Sequence, residues 1–296
     1  MVKRPMSHRR GALLSITAVA LWGTVFVFSQ IGLQFANPYN LVFIRFAVAS
    51  LAIFILVIPL KNGSQMISAL RRKNIWLLGF IYMIGFLFLY VGQNLSSASE
   101  ATLLTNLAPI LVPPIAVSLL KDRISKQQVI AMVLGLMSLL LIATPNLDLG
   151  TYRIIGYILM FTTSICYALF TVMSKKYGAV HLADSFAIIL VITVFLAPVA
   201  FFLGGLDLST LSIPPVGWFS IIWLGLLCTV VAVTMYLEGL GALAASEAGF
   251  IQLLQVIIGL FLAGIVLGDF LSPYQILGAV LILGAMVLGS IKNKPV

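Results

Sequence analysis

Arg45 is the residue whose type and place ask for chemistry. It sits seven residues after Pro38 in an otherwise apolar tract, roughly 10 Å along a helix that starts at that proline. A guanidinium at that depth costs several kcal/mol unless it snorkels, pairs or meets water. Two readings follow. In one, Arg45 reaches back to the headgroups. In the other, it is a cavity or gate cation that holds a carboxylate or pairs with Glu100. Glu100 and Glu247 each follow a serine at a helix start, so both suit a cap at the positive dipole end, with gating as the rival role. Neutral polar residues follow. Thr102, Thr105, Asn106 and Pro109 share one tract, and Gln252 and Gln255 are three apart, on one helical face. Amides and hydroxyls bind a zwitterion or an amide-like solute without a buried charge; they equally tie helices together. The aromatics Trp22, Tyr82, Tyr90, Tyr167 and Trp223 fall deep in apolar tracts rather than at their ends. With Thr24 beside Trp22, they are candidates for a solute pocket or for helix packing. Pro109, Pro113 and Pro114 free backbone groups and predict a kink.

The same inventory excludes other chemistry. The two histidines, His8 and His181, lie in connecting segments, and Cys166 and Cys228 have no ligand spacing. We expect no metal, no cofactor, no catalytic residue and no enzyme.

These residues must be positioned by membrane helices. The 296 residues are 61% hydrophobic and 8% charged, against about a quarter charged in a soluble domain. Ten segments of roughly 20 residues qualify as spans: 11–35, 39–60, 75–95, 99–120, 126–145, 152–176, 182–204, 214–237, 246–267 and 273–291. The expected fold class is therefore an all-α polytopic membrane protein of ten transmembrane helices. Alternating sides from a cytoplasmic N-terminus leaves only Arg153 in an outer loop and Arg45 inside a span; all other Lys and Arg fall inside. That bias predicts a plasma-membrane protein with both termini cytoplasmic, 1–10 and 292–296 being short tails. It also accounts for the net charge of +9 without nucleic acid. The expected partners are a bilayer and a small solute.

The chain resembles itself. Ala98-Ser99-Glu100-Ala101 recurs as Ala245-Ser246-Glu247-Ala248, and in the same register Lys121 to Ser125 face Gly268 to Ser272. Trp22 to Ser29 match Tyr167 to Ser174. The halves are 11–145 and 151–291. Five spans per half is an odd number, so the second half enters the membrane inverted, a transporter pattern. Asp122 and Asp269 occur in both halves and read as helix caps.

The tract Ala20 to Val27, and Leu107-Ala108-Pro109 followed by Lys121 to Ser125 and Gly135, resemble the EamA type of the drug/metabolite transporter superfamily. The chain departs from that pattern at Asp122 and Asp269, where the family has glutamate, and at Val256, which lacks the proline of Pro109; the latter predicts halves that bend differently. The resemblance implies a central cavity lined by spans one, three, four, six, eight and nine, with five and ten peripheral. It implies alternating access and export of small metabolites, amino acids foremost, with aromatic or other neutral ones favoured by the aromatic count. A drug, amine or nucleoside carrier is the alternative within the superfamily, and a channel or membrane enzyme the alternative of another class.

Overall fold

The computed structural model describes residues 6–57, 62–96, 98–143, 151–205, 213–268 and 272–290. Within them the chain is all helical. The first half comprises α1 (His8–Gly23), α2 (Val25–Leu33), α3 (Pro38–Val57), α4 (Gly63–Leu70), α5 (Lys73–Asn94), α6 (Ala98–Thr105), α7 (Ala108–Leu120) and α8 (Lys126–Ala143). The second comprises α9 (Thr151–Lys176), α10 (Leu182–Phe202), α11 (Pro215–Gly225), a π-helical segment (Leu226–Val231), α12 (Ala232–Ala242), α13 (Ala245–Ile251), α14 (Leu254–Leu267) and α15 (Pro273–Ser290). Seven stretches are long and apolar enough to cross a bilayer, and three shorter apolar helices lie at Ala108–Leu120, Lys126–Leu141 and Ile276–Ser290. Large apolar side chains such as Leu51, Ile55, Ile158, Phe202 and Val280 are exposed, as a lipid-facing surface requires. The protein is a multi-pass membrane protein.

Breaks in the helices set the cavity. The first span pauses at Thr24, between α1 and α2. The fourth breaks at Asn106 and Leu107, one turn before the kink that the prolines predict, and Pro109 occupies the first turn of α7. The ninth breaks at Gln252 and Leu253, the corresponding place in the repeat. The second half thus breaks within one residue of the corresponding place although Val256 is not a proline. The second break is closed by tightened i to i−3 bonds, Gln252 N–H to Gly249 O at 3.0 Å and Gln255 N–H to Gln252 O at 3.1 Å, which need no proline.

Two further expectations change. Ser246 lies inside α13, whose N-cap is Ala244 with no side-chain cap bond; Glu247 does occupy the first turn, where its charge meets the helix dipole, and pairs with His8 at 2.8 Å. The start of α8 is capped by Ser125 and Gln128, whose side chains exchange bonds with each other's backbone N–H at 3.3 and 3.0 Å, rather than by Asp122. Asp269 and the side chain of Glu100 lie outside the described residues.

Small residues let the helices approach. α1 crosses α12 at Gly11 and Gly239, and α5 meets α9 at Gly92 and Gly156. At the Gly11 end of that crossing, Lys175 Nζ donates to the carbonyls of Leu240 and Leu243 at 2.8 and 2.5 Å, satisfying the C-terminal end of α12. α8 and α15 pack on each other, away from the cavity described below.

The repeat also explains one strained residue. α7 ends at Lys121 with φ 57°, and α14 ends at the equivalent Gly268 with φ 71°. Only glycine adopts that conformation without cost. Lys121→Gly is expected to raise stability by about 1 kcal/mol, read as a higher unfolding temperature in detergent; an unchanged or lower value would contradict it.

Candidate functional site

One cavity lies among the broken helices; about 560 Å³ of atom-free space lies within it and in the open solvent at its mouth. Its lining explains why the helices break where they do. Trp22 is at the end of α1, Val25 and Phe26 open α2, Thr105 ends α6, Ala108 opens α7, Gln252 lies in the second break and Gln255 opens α14. Arg45 comes from α3, Tyr82, Phe86 and Leu89 from α5, Tyr167, Phe170 and Thr171 from α9, and Tyr236 from α12. The lining thus uses the expected spans and adds the second, through Arg45.

Twelve of the lining residues form six pairs that the internal repeat relates. Trp22 corresponds to Tyr167, Val25 to Phe170 and Phe26 to Thr171. In the register that aligns Ala98 with Ala245, Leu89 corresponds to Tyr236, Thr105 to Gln252 and Ala108 to Gln255. Three residues have no counterpart on the wall: Arg45, Tyr82 and Phe86. They are neighbours. The Arg45 guanidinium carbon lies 4.7 Å from the Phe86 ring centre, and the Tyr82 and Phe86 rings are 4.7 Å apart. The lining is thus repeat-related in sequence except at one charged corner.

Arg45 does not snorkel. It is 0% exposed, and its partners are neutral: Nε donates to Thr229 Oγ1 at 2.8 Å, Nη1 to the Tyr90 hydroxyl at 2.9 Å, and Nη2 makes a long 3.5 Å contact with the Cys228 carbonyl. A guanidinium has five N–H donors, so two face no acceptor among the described residues. No Asp or Glu stands on the described wall. The fixed, planar fork suits a carboxylate. Nearby, the Tyr167 hydroxyl is buried without a hydrogen-bond partner, a group that costs free energy unless something else satisfies it.

The opposite wall is amide-lined. Gln255 Nε2 donates to Asn106 Oδ1 at 2.6 Å, joining the two helix breaks across the halves. Gln252 Nε2 donates to the Tyr236 hydroxyl at 2.6 Å, which lies 3.4 Å from Thr171 Oγ1. Tyr82 stacks on Phe170 at 3.8 Å, and Trp22 leans on Tyr236 at 4.8 Å.

Seven of the sequence candidates are therefore on the wall: Trp22, Arg45, Tyr82, Thr105, Tyr167, Gln252 and Gln255. Tyr90 stands behind Arg45, and Asn106 behind Gln255. Thr102 and Pro109 are buried in the broken span. Thr24 and Trp223 are not on the wall: Trp223 Nε1 donates to Thr24 Oγ1 at 2.9 Å, and Trp22 Nε1 to the Cys228 carbonyl at 3.0 Å. Glu247 lies away from the cavity, against His8. The sequence reading missed Tyr236, Phe86, Phe170 and Thr229. Asn106→Ala should free the Gln255 amide and raise the half-saturating solute concentration about fivefold, the worth of one hydrogen bond of about 1 kcal/mol; an unchanged value in transport assays would remove Asn106 from the account.

The chain matches a known family twice along its length. The EamA-like transporter family matches over residues 9–144 and again over 154–291. This chain belongs to that family. EamA-like relatives include the uncharacterized transporter YetK of Bacillus subtilis (strain 168), 24% identical with 99% of this chain and 90% of the relative covered. The probable amino-acid metabolite efflux pump of Escherichia coli (strain K12) is 25% identical over 95% and 94%. A protein crystal structure at 17% identity superposes with TM-score 0.76 over 95% of this chain and 97% of that one, which shows the EamA-like fold to be shared with it. The protein is an EamA-like transporter of the drug/metabolite superfamily.

Proposed function

We propose that this transporter exports small carboxylate-bearing metabolites, amino acids and their derivatives with an apolar or aromatic body, by alternating access. The observation that carries the reading is Arg45, buried at the cavity with neutral partners and no acid on the described wall. A buried cation without a counter-ion is retained at a cost of several kcal/mol, and a solute carboxylate offsets it. The aromatic walls suit the solute's body. The Escherichia coli relative named a probable amino-acid metabolite efflux pump supports the class.

In this reading the seven long and three shorter apolar helices make ten crossings, arranged as two inverted halves, 11–145 and 151–291. Both termini face the cytoplasm of a plasma-membrane protein, as the Lys and Arg distribution favours. The repeat-related lining of the cavity supports halves that exchange roles as each face opens. The unpaired Arg45 corner holds the solute's charged end in the first half throughout, while the second half rocks against it.

The test is counterflow into proteoliposomes preloaded with amino acids and their keto and N-acyl derivatives. Saturable uptake of any one of these supports the proposal. No saturable uptake of any of them, with protein inserted and folded, refutes it.

A further inference from the structure

We infer that the favoured solute is a monoanion, a carboxylate whose nitrogen is absent or acylated, rather than a zwitterionic amino acid. This deepens the proposed function and rests on it.

The argument is charge balance in a low-dielectric cavity. The described wall carries one cation, Arg45, and no Asp or Glu. A monoanion docked on the guanidinium leaves the occupied cavity neutral. A zwitterion neutralises Arg45 with its carboxylate but brings an ammonium a few ångströms away, so the occupied cavity keeps a net positive charge that burial penalises. An ammonium would need a carboxylate partner or open aromatic faces. One face of Phe86 is already under Arg45, and Tyr82 and Phe170 cover a face of each other at 3.8 Å.

The neutral groups of the wall match a solute whose nitrogen is uncharged or absent better than one that carries an ammonium. The amide nitrogens of Gln252 and Gln255 are committed to Tyr236 and Asn106, which leaves amide oxygens as acceptors for a neutral N–H. The unpartnered Tyr167 hydroxyl is a donor suited to a keto or acyl oxygen. An acylated or oxidised amino acid offers both the lone carboxylate and such an oxygen. The ring-rich walls accept its apolar body.

Three probes share a phenyl ring and a carboxylate and differ only at the nitrogen: phenylpyruvate, N-acetylphenylalanine and phenylalanine. Each is tested for saturable uptake by counterflow, and as a competitor of the others, with the wild-type protein in proteoliposomes at neutral pH and protein-free liposomes as the blank. The expected result is saturable uptake of the two monoanions, with phenylalanine at least about ten-fold weaker. Phenylalanine competing as well as either monoanion, or better, would overturn the inference and leave the carboxylate-exporter reading in place. Saturable uptake of none of the three, alongside transport of another amino acid, would also overturn it. Failure of every carboxylate solute overturns the proposed function and this inference together.

Discussion

Arg45→Ala is expected to lower counterflow of any carboxylate solute by at least roughly 100-fold while leaving the protein folded. Truncating one partner of a buried, hydrogen-bonded charge pair costs about 2–5 kcal/mol, and here the other partner is the solute. The stability expectation runs the other way. Arg45 is held by two neutral hydroxyls and ring faces, so removing it also removes an uncompensated buried charge. The unfolding temperature of Arg45→Ala in detergent should therefore fall little or rise. Arg45→Lys keeps the charge but loses the fork that reaches Thr229 and Tyr90 together, so an intermediate loss of about 10-fold is expected. Normal transport by Arg45→Ala would remove the carboxylate from the account; loss of transport with collapse of the fold in both variants would make Arg45 a structural residue only.

Gly239→Val is the second large effect. A β-carbon on Gly239 would stand 2.7 Å from the Gly11 carbonyl oxygen and strike Ser15. The obstacle includes backbone, which cannot turn aside as a side chain does. α1 must then separate from α12, and overpacking of this kind costs about 1–3 kcal/mol or more. The crossing also lies where His8 meets Glu247 and Lys175 holds the end of α12, so transport should fall together with stability. Gly284→Ala is the control, since a β-carbon there meets nothing within 4 Å; it should be neutral or slightly stabilising. Equal unfolding temperatures for Gly239→Val and the wild type would contradict the close crossing.

The sequence made some of this legible for definite reasons. Arg45 stands out because charge inside a span is rare and costly. Gln252 and Gln255 stand out by their helical spacing, and Trp22 and Tyr167 by the repeat. The misses share one cause. These helices are apolar on all sides, so no amphipathic face marks which aromatic points inward and which faces lipid. Phe86 and Phe170 line the cavity while Phe201 and Phe202 are exposed, and nothing local in the sequence distinguishes them. Tyr236 was findable only through its repeat partner Leu89, which as one more leucine carried no signal. Thr229 was hidden because it serves Arg45 from the π-helical segment, and a register change of that kind leaves no periodic trace. The helix break at Gln252 escaped because it relies on tightened backbone bonds, where a proline would have announced it.

If the Arg45 cavity binds solute and opens to each side in turn, a thiol at Thr171→Cys on its wall is reachable from both faces of the membrane. In a background with Cys166→Ser and Cys228→Ser, a membrane-impermeant thiol reagent is applied to oriented vesicles from either side, with and without a transported carboxylate. Labelling is expected from both sides, with protection by solute in both cases. Labelling from one side only, or labelling that saturating solute leaves unchanged, would rule out alternating access around this cavity.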